Sequence, residues 1–450
     1  MTTPNSMLIV NERGHLVVGG CDVVELAHKH GTPLYLYDEQ RIRERCREYI
    51  AEFSTRYPNV EIAYAGKAGL CTGLCRLMEQ EGMGLDVASA GELYTALQAG
   101  FPPVRVKMHG NYKSNLEYRM ALETGVGRIV VDSLLELRQL DGWARRFGCV
   151  ADILIRIRPG VDTHTHELIQ TGQVDSKFGV GIYGGEARRA VETALELDGL
   201  RLHGLHCHIG SQLLETDVFE RTVDHMVEFM VEIRDALGFE CEDLDLGGGL
   251  GIRYTEKDEV PTVAELAEAI CTRLRSELAE RGLAEPRLIL EPGRSIVGEA
   301  GVTVYTVGVV KEIPDLRTYV SVDGGLSDNP RPALYDAVYE AVVANRAGER
   351  PSQWVRVAGK HCETDTLIED ACIAHVEPGD LLAVFATGAY NFAMASNYNR
   401  FLRPAVVLCC AGRDEVLVER ETLADVVARD RIPPHLAVEE PVRQRCASEG

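Results

Sequence analysis

Eight short apolar runs recur along the first two thirds of the chain, at residues 61–65, 84–88, 104–108, 128–131, 152–157, 202–207, 242–246 and 287–290. A helical pattern fills most of the gaps. After Lys67, for example, Leu70, Leu74, Leu77 and Met78 repeat at helical spacing. Ser89 with Glu92 and Ser133 with Glu136 have capping-box spacing, which opens the next helices. Eight strand–helix units in succession predict a closed (β/α)8 barrel of the TIM type, because a doubly wound open sheet uses fewer.

The flanks read differently. Residues 1–36 read as short strands and turns, with His15–Val18 and Thr32–Tyr37 rich in strand formers. Beyond Gly298 come strand-like runs at Val302–Tyr305, Tyr319–Val322, Trp354–Val357, Leu381–Phe385, Ala405–Leu408 and Glu415–Val418. The expected organisation is N-terminal strands (1–36) packing with a C-terminal, mostly β domain (299–450), barrel- or sandwich-like, and a (β/α)8 barrel (37–298) between them. Residues 160–185 are polar and Gly-rich, as an insertion on the active face of a barrel would be.

Composition removes several classes of partner. A net charge of -22 supplies no basic face for nucleic acid. No apolar run approaches the roughly 20 residues of a membrane span, and Met7–Val10 is too short for a signal-peptide core. Thirteen cysteines are scattered without a framework, and Cys71 and Cys75 are spaced for a helix rather than a zinc knuckle. A reduced, cytoplasmic protein is expected.

In a barrel, chemistry gathers at the C-terminal ends of the strands. Those ends carry Lys67; Asp86 and Ser89; His109; Asp132; Arg156 and Arg158; His208 and Ser211; Gly247–Gly249; Glu291 and Arg294. Any one of them could be a cap or a solvated loop residue, Glu92 in particular, but all eight ends are polar or ionisable. Desolvation at a strand end should lower the Lys67 pKa and free its amine to form a Schiff base. The run Asp245-Leu246-Gly247-Gly248-Gly249-Leu250-Gly251 can turn backbone N–H groups toward an anion, and no Gly-Lys-Ser/Thr follows to make it a P-loop. Glu291 could hold a protonated pyridine nitrogen, and Arg294 a phosphate or carboxylate; an internal salt bridge between the two is the plainer alternative. Gly179–Gly184 matches a dinucleotide fingerprint but lacks the βαβ context. His206 and His208 lie on one face of a strand and could bind metal beside Lys67, His109 and Asp132, giving a hydrolase as the competing enzyme class. The triglycine loop at the same mouth argues against that reading.

Tyr64-Ala65-Gly66-Lys67-Ala68, Leu205–Gln212, Asp245–Ile252 and Glu291–Ser295 together resemble the diaminopimelate decarboxylases. These pyridoxal-phosphate enzymes are grouped with ornithine and arginine decarboxylases and share a barrel with alanine racemase. The resemblance continues through Asp323–Tyr335, Gly359–Glu363 and Gly388-Ala389-Tyr390, in family order and over nearly the whole chain. It implies that pyridoxal 5'-phosphate sits on Lys67 and that His208 stacks on the ring. It places Ser211, Gly248, Gly249, Gly293 and Arg294 at the phosphate, Glu291 at the pyridine nitrogen, and Asp86 and His109 in the cofactor pocket. Arg294, Arg331 and Tyr335 would bind the distal carboxylate of an amino-acid substrate, and Glu363 its distal end. Tyr390 would touch cofactor or substrate, and Cys362 would be the proton donor. The resemblance further implies that Cys362 and Glu363 serve the partner's site, hence a homodimer with shared sites, and it calls for no metal. The implied reaction is decarboxylation of meso-2,6-diaminopimelate to L-lysine.

This chain departs from the family pattern at Tyr112, at Gly66, and after Glu363, where the loop is one residue shorter. These positions ring the site, so a related substrate stays open: ornithine, arginine, or a specialised or carrier-bound amino acid. A non-catalytic relative is the more distant alternative, disfavoured by Lys67, Glu291 and Cys362.

Overall fold

The computed structural model describes residues 8–161 and 175–437. Within it the barrel strand Val60–Ala65 pairs in parallel with Gly84–Val87, which pairs with Val106–Met108, and that with Arg128–Val131. Ala151–Arg158, Leu200–His206, Asp243–Asp245 and Arg287–Leu290 follow, each parallel to the one before. Arg287–Leu290 returns to the first strand, Leu288 against Val60 and Leu290 against Ile62, and closes the barrel. Part of the predicted insertion, residues 162–174, lies outside the described residues. Its far end forms a short strand, Val180–Gly181, beside Ala151–Arg158.

The helical spacing read from the sequence puts apolar residues on one face. In Thr72–Gln80, Leu74, Cys75, Leu77 and Met78 are buried against the strands. Truncating a fully buried leucine such as Leu74 costs about 2–5 kcal/mol. The caps differ in detail from the expectation. Ser89 and Ser133 accept from the Glu92 and Glu136 backbone amides. The two glutamates reach back one residue further, to the Ala88 and Asp132 amides. Complete capping boxes occur instead at Ser114 with Glu117 and at Thr262 with Glu265.

The long strand Gly301–Ile313 organises the second body, pairing with Arg317–Val322, Leu381–Phe385 and Leu34–Asp38. Leu34–Asp38 also runs parallel to Ala405–Cys410. Asp38 then accepts from the Arg41 amide and caps helix Glu39–Arg56, which leads into the barrel. One residue therefore ends the sheet and starts the helix, coupling the two bodies through backbone.

Three segments correct the sequence reading. Val23–His30 is a helix, not strand and turn: the Asp22 carboxylate accepts from the Val24 and Glu25 amides, and that cap overrides the local Val-Val preference. Strands Ala341–Val343 and Thr366–Ile373 were not anticipated; Thr366–Ile373 carries Glu369 and Asp370 in mid-strand, which masks its alternation.

Candidate active site

Lys67 stands on a turn pinned from several sides. The first strand ends where the Ala65 amide donates to the Pro292 carbonyl, 3.0 Å away. A single 3-10 turn, Gly66–Ala68, follows. The Tyr390 amide donates to the Ala68 carbonyl at 2.7 Å, and the Tyr64 hydroxyl to the Gly69 carbonyl at 2.7 Å. Gly66 is required by contact: a Cβ there would lie 2.9 Å from the Asp86 carbonyl oxygen. Tyr390 holds a left-handed backbone, φ 64°, a strain that such sites maintain through surrounding contacts.

The Lys67 side chain opens into a cavity of about 1970 Å³ between barrel and β domain. Asp86, His109, His208, Ser211, Arg294, Arg331, Tyr335 and Tyr390 line the same cavity. The expected fall in the Lys67 pKa is corrected. Enclosure does disfavour the ammonium, but Asp86, Tyr390 and Glu291 outweigh it and hold the pKa above its ordinary value. The sequence showed the strand end but not the acids that converge on it.

Glu291 is buried at the barrel mouth. Its Oε1 lies 2.8 Å from His109 Nε2, and its Oε2 lies 3.2 Å from His206 Nε2. Burial opposes its charge, yet the two imidazoles keep the carboxyl well below the usual range. Burial pushes His206 down to about 3, so its ring is neutral and donates through Nε2. The plainer alternative, a Glu291–Arg294 salt bridge, is not formed: Arg294 turns to Ser211. The metal reading pictured His206 with His208. The groups that converge are instead His109, His206 and Glu291, at hydrogen-bond lengths, with His208 outside them.

The glycine loop packs as tightly as its sequence implies. A Cβ on Gly248 would lie 2.2 Å from the Glu291 carbonyl oxygen. One on Gly293 would lie 3.0 Å from the Ala65 Cβ. Gly249 has φ 133°, which L side chains rarely adopt. The Gly248 amide donates to His208 Nδ1 at 3.3 Å, fixing that imidazole beside the loop. Burial and the nearby Lys67 and Arg156 charges keep His208 neutral. Arg294 Nη2 donates to Ser211 Oγ at 3.0 Å, so hydroxyl, guanidinium and glycine backbone share one corner.

Arg294 and Arg331 converge on a residue absent from the sequence reading. Each donates through Nη1 to the Tyr254 hydroxyl, Arg331 at 2.7 Å. Arg331 also donates to Tyr339 at 2.8 Å and sits 5.9 Å from the Tyr335 ring. Arg294 lies 4.9 Å over the Tyr390 ring. Tyr254 was detectable only as an aromatic shortly after the glycine run; nothing in spacing marked Tyr339.

Asp132 and Arg158 tie the strand ends to the following loop, while Arg156 joins the cavity wall. Asp132 accepts from the Gly179 amide at 2.7 Å, and Arg158 donates to the Ser176 carbonyl at 2.9 Å. Arg156 is buried, stacked 4.4 Å over the Phe178 ring. Cys362 and Glu363 do not line the Lys67 cavity of their own chain. Cys362 is exposed, its amide donating to Asn399 Oδ1, and Glu363 accepts from Tyr398 at 2.5 Å.

Comparison with known proteins supplies the family. The model of the pyridoxal-dependent decarboxylases, pyridoxal-binding domain, matches residues 39–298. Diaminopimelate decarboxylase of Bacillus subtilis (strain 168) is 48% identical over 421 residues, covering 93% of this chain and 96% of that protein. The Staphylococcus aureus (strain COL) enzyme of the same name is 43% identical, covering 93% and 98%. The crystal structure of diaminopimelate decarboxylase from M. jannaschii with L-lysine superposes with a TM-score of 0.90 at 37% identity, covering 96% of this chain and 99% of that one.

The residues present fit pyridoxal 5'-phosphate, the cofactor of these enzymes. Lys67 offers an amine, Glu291 an ionised carboxylate for a pyridinium, and Ser211 and Arg294, beside the close-packed Gly248 and Gly249 backbone, polar donors for a phosphate. The chain belongs to the pyridoxal-dependent decarboxylases, among the diaminopimelate decarboxylases.

Proposed function

We propose that the protein removes carbon dioxide from the D centre of meso-2,6-diaminopimelate and releases L-lysine. One observation carries the substrate choice: two guanidinium groups, Arg294 and Arg331, share the Tyr254 hydroxyl in the cavity that Lys67 enters. A diacid keeps a second carboxylate after one is lost, and a pair of cations suits it. Ornithine or arginine would call for an acidic group there. The lysine complex of the M. jannaschii relative supports the same product.

Each residue then has a task. Lys67 would hold pyridoxal phosphate, whose electron-poor ring would supply the sink for the electron pair left when carbon dioxide departs. Glu291, ionised between its imidazoles, keeps the ring nitrogen protonated. Asp86 and His109 shape the pocket beside it. His208 would lie against the ring face, and Ser211, Gly248, Gly249, Gly293 and Arg294 would hold the phosphate. Arg294, Arg331, Tyr335 and Tyr390 orient the substrate's far end.

The proton that completes the reaction comes, in this reading, from Cys362 of a second copy, with Glu363 beside it. The exposure of Cys362 outside its own cavity supports a homodimer with shared sites. We divide the chain into an N-terminal segment to residue 36, a barrel domain to 298 and a β domain beyond. Free thiols throughout the described cysteines support a cytoplasmic setting, and no described helix is long and apolar enough to cross a membrane. Borohydride treatment of the cofactor-loaded protein, followed by peptide mapping, should fix a pyridoxyl group on Lys67. The same protein should release carbon dioxide and L-lysine from meso-diaminopimelate. Absence of the adduct or of lysine refutes the assignment.

A further inference from the structure

Tyr254 belongs to the barrel yet sits where the β domain meets it. It follows the glycine run, on a loop fixed at several points. Gln212 brackets Ile252, accepting from its amide at 3.2 Å and donating to its carbonyl at 2.7 Å. The Asp258 carboxylate accepts from the Tyr254 and Thr255 amides at 2.9 and 2.8 Å. The Glu256 amide donates to Glu340 across the domain boundary at 2.8 Å. The ring is buried, packed edge-on against Tyr339 at 5.4 Å and 89°. This is a rigid mount, costly to build for an ordinary loop aromatic.

Its hydroxyl accepts from two charged donors. Arg294 comes from the end of the eighth barrel strand, and Arg331 from the β domain. The two guanidinium groups also approach the ring itself, with Cζ 5.8 and 5.0 Å from its centroid. A phenol oxygen has two acceptor positions and one proton. Both positions are taken, so the remaining polar capacity of Tyr254 is its O–H. Two cations held on one oxygen repel each other, and an anion placed against both relieves that repulsion. A carboxylate can accept from both forks and from the phenol together.

We propose that Tyr254 is a specificity-determining residue: it locks Arg294 and Arg331 into a single receptor and donates its own O–H to the distal carboxylate of the amino-acid substrate. The proposal rests on the reading of the two arginines as that carboxylate's ligands. Without the phenol oxygen each guanidinium keeps its charge but loses a shared anchor, so the receptor loosens, while Arg294 stays tied to Ser211 at the phosphate corner.

The test compares two ligands of the cofactor-loaded enzyme, L-lysine and 1,5-diaminopentane, which lacks only the carboxylate. Tyr254→Phe should weaken L-lysine binding about tenfold or more, the loss of a hydrogen-bond set to a charged group. Binding of 1,5-diaminopentane should change less than about twofold. The loss in kcat/KM for meso-diaminopimelate should fall on KM, with the melting temperature retained. Tyr254→His, which can accept from one arginine, should lie between. Unchanged L-lysine affinity in Tyr254→Phe, or equal losses for both ligands, overturns the proposal. Arg331→Gln run in parallel separates the two claims. If it selectively weakens L-lysine while Tyr254→Phe does not, only the role of Tyr254 falls. If Arg331→Gln leaves the ratio of the two affinities unchanged, the arginine reading falls and takes the proposal with it.

Discussion

His109 Nε2 lies 2.8 Å from Glu291 Oε1, joining the end of the third barrel strand to the end of the eighth. With His206 on the other oxygen, the carboxylate is oriented and kept charged before any cofactor arrives. Glu291→Gln keeps the shape and removes the charge. Its kcat should fall about 100-fold, the scale of losing one preorganised electrostatic group, with cofactor content near that of the parent. Steady-state assay alongside the cofactor absorbance checks this; an unchanged kcat would take the ring nitrogen away from Glu291.

Gly248 tests the cradle. Alanine there would set a Cβ 2.2 Å from the Glu291 carbonyl oxygen, so loop and strand end must part. We expect a stability loss of about 1–3 kcal/mol, as for overpacked sites. Cofactor retention on gel filtration should fall as well. Full retention would mean that the loop does not hold the phosphate.

The buried imidazole of His206 gives a pH dependence whose sign is fixed. Its pKa is about 3 in the folded protein, through burial opposed by Glu291. An unfolded histidine titrates near 6.5. A depressed folded pKa contributes stability that is complete above 6.5 and is lost as pH falls toward 3. Between pH 6 and 4.5 this one group should contribute a slope approaching about 1.4 kcal/mol per pH unit. His206→Asn should start less stable and show a shallower slope in denaturant melts. Identical slopes would contradict the assignment.

The barrel was legible because apolar runs and helical spacing alternate eight times, and the polar strand ends followed from that register. Lys67, Asp86, His109, His208, Ser211 and Arg294 meet in one cavity for this reason. Arg331 and Tyr335 came only through resemblance, because they belong to the β domain and no periodicity ties them to the barrel mouth. Tyr254 and Tyr339 escaped for a related reason: their partners are arginines 40 and 8 residues away in sequence. The direction of the Lys67 pKa depended on Asp86 and Glu291, whose approach only the closed barrel creates. The helix Val23–His30 hinged on the cap at Asp22, a local contact that outweighed residue preference.

Shared sites can be tested by mixing inactive variants. Lys67→Ala and Cys362→Ala should each be nearly inactive alone. If Cys362 serves the partner's cavity, a randomly reassorted mixture should regain about a quarter of the parental activity, since heterodimers rebuild one site in two. No recovery on mixing, with heterodimers demonstrated by mass, would place Cys362 in its own chain's reaction or outside the reaction altogether.

In the proposed reaction the paired arginines Arg294 and Arg331 select a substrate with a distal carboxylate. The most direct measurement is carbon dioxide release by the cofactor-loaded enzyme under identical conditions from meso-diaminopimelate and from ornithine. The kcat/KM for meso-diaminopimelate should be at least about a hundredfold higher, since ornithine leaves the charged receptor unpaired. Equal or faster turnover of ornithine would contradict it.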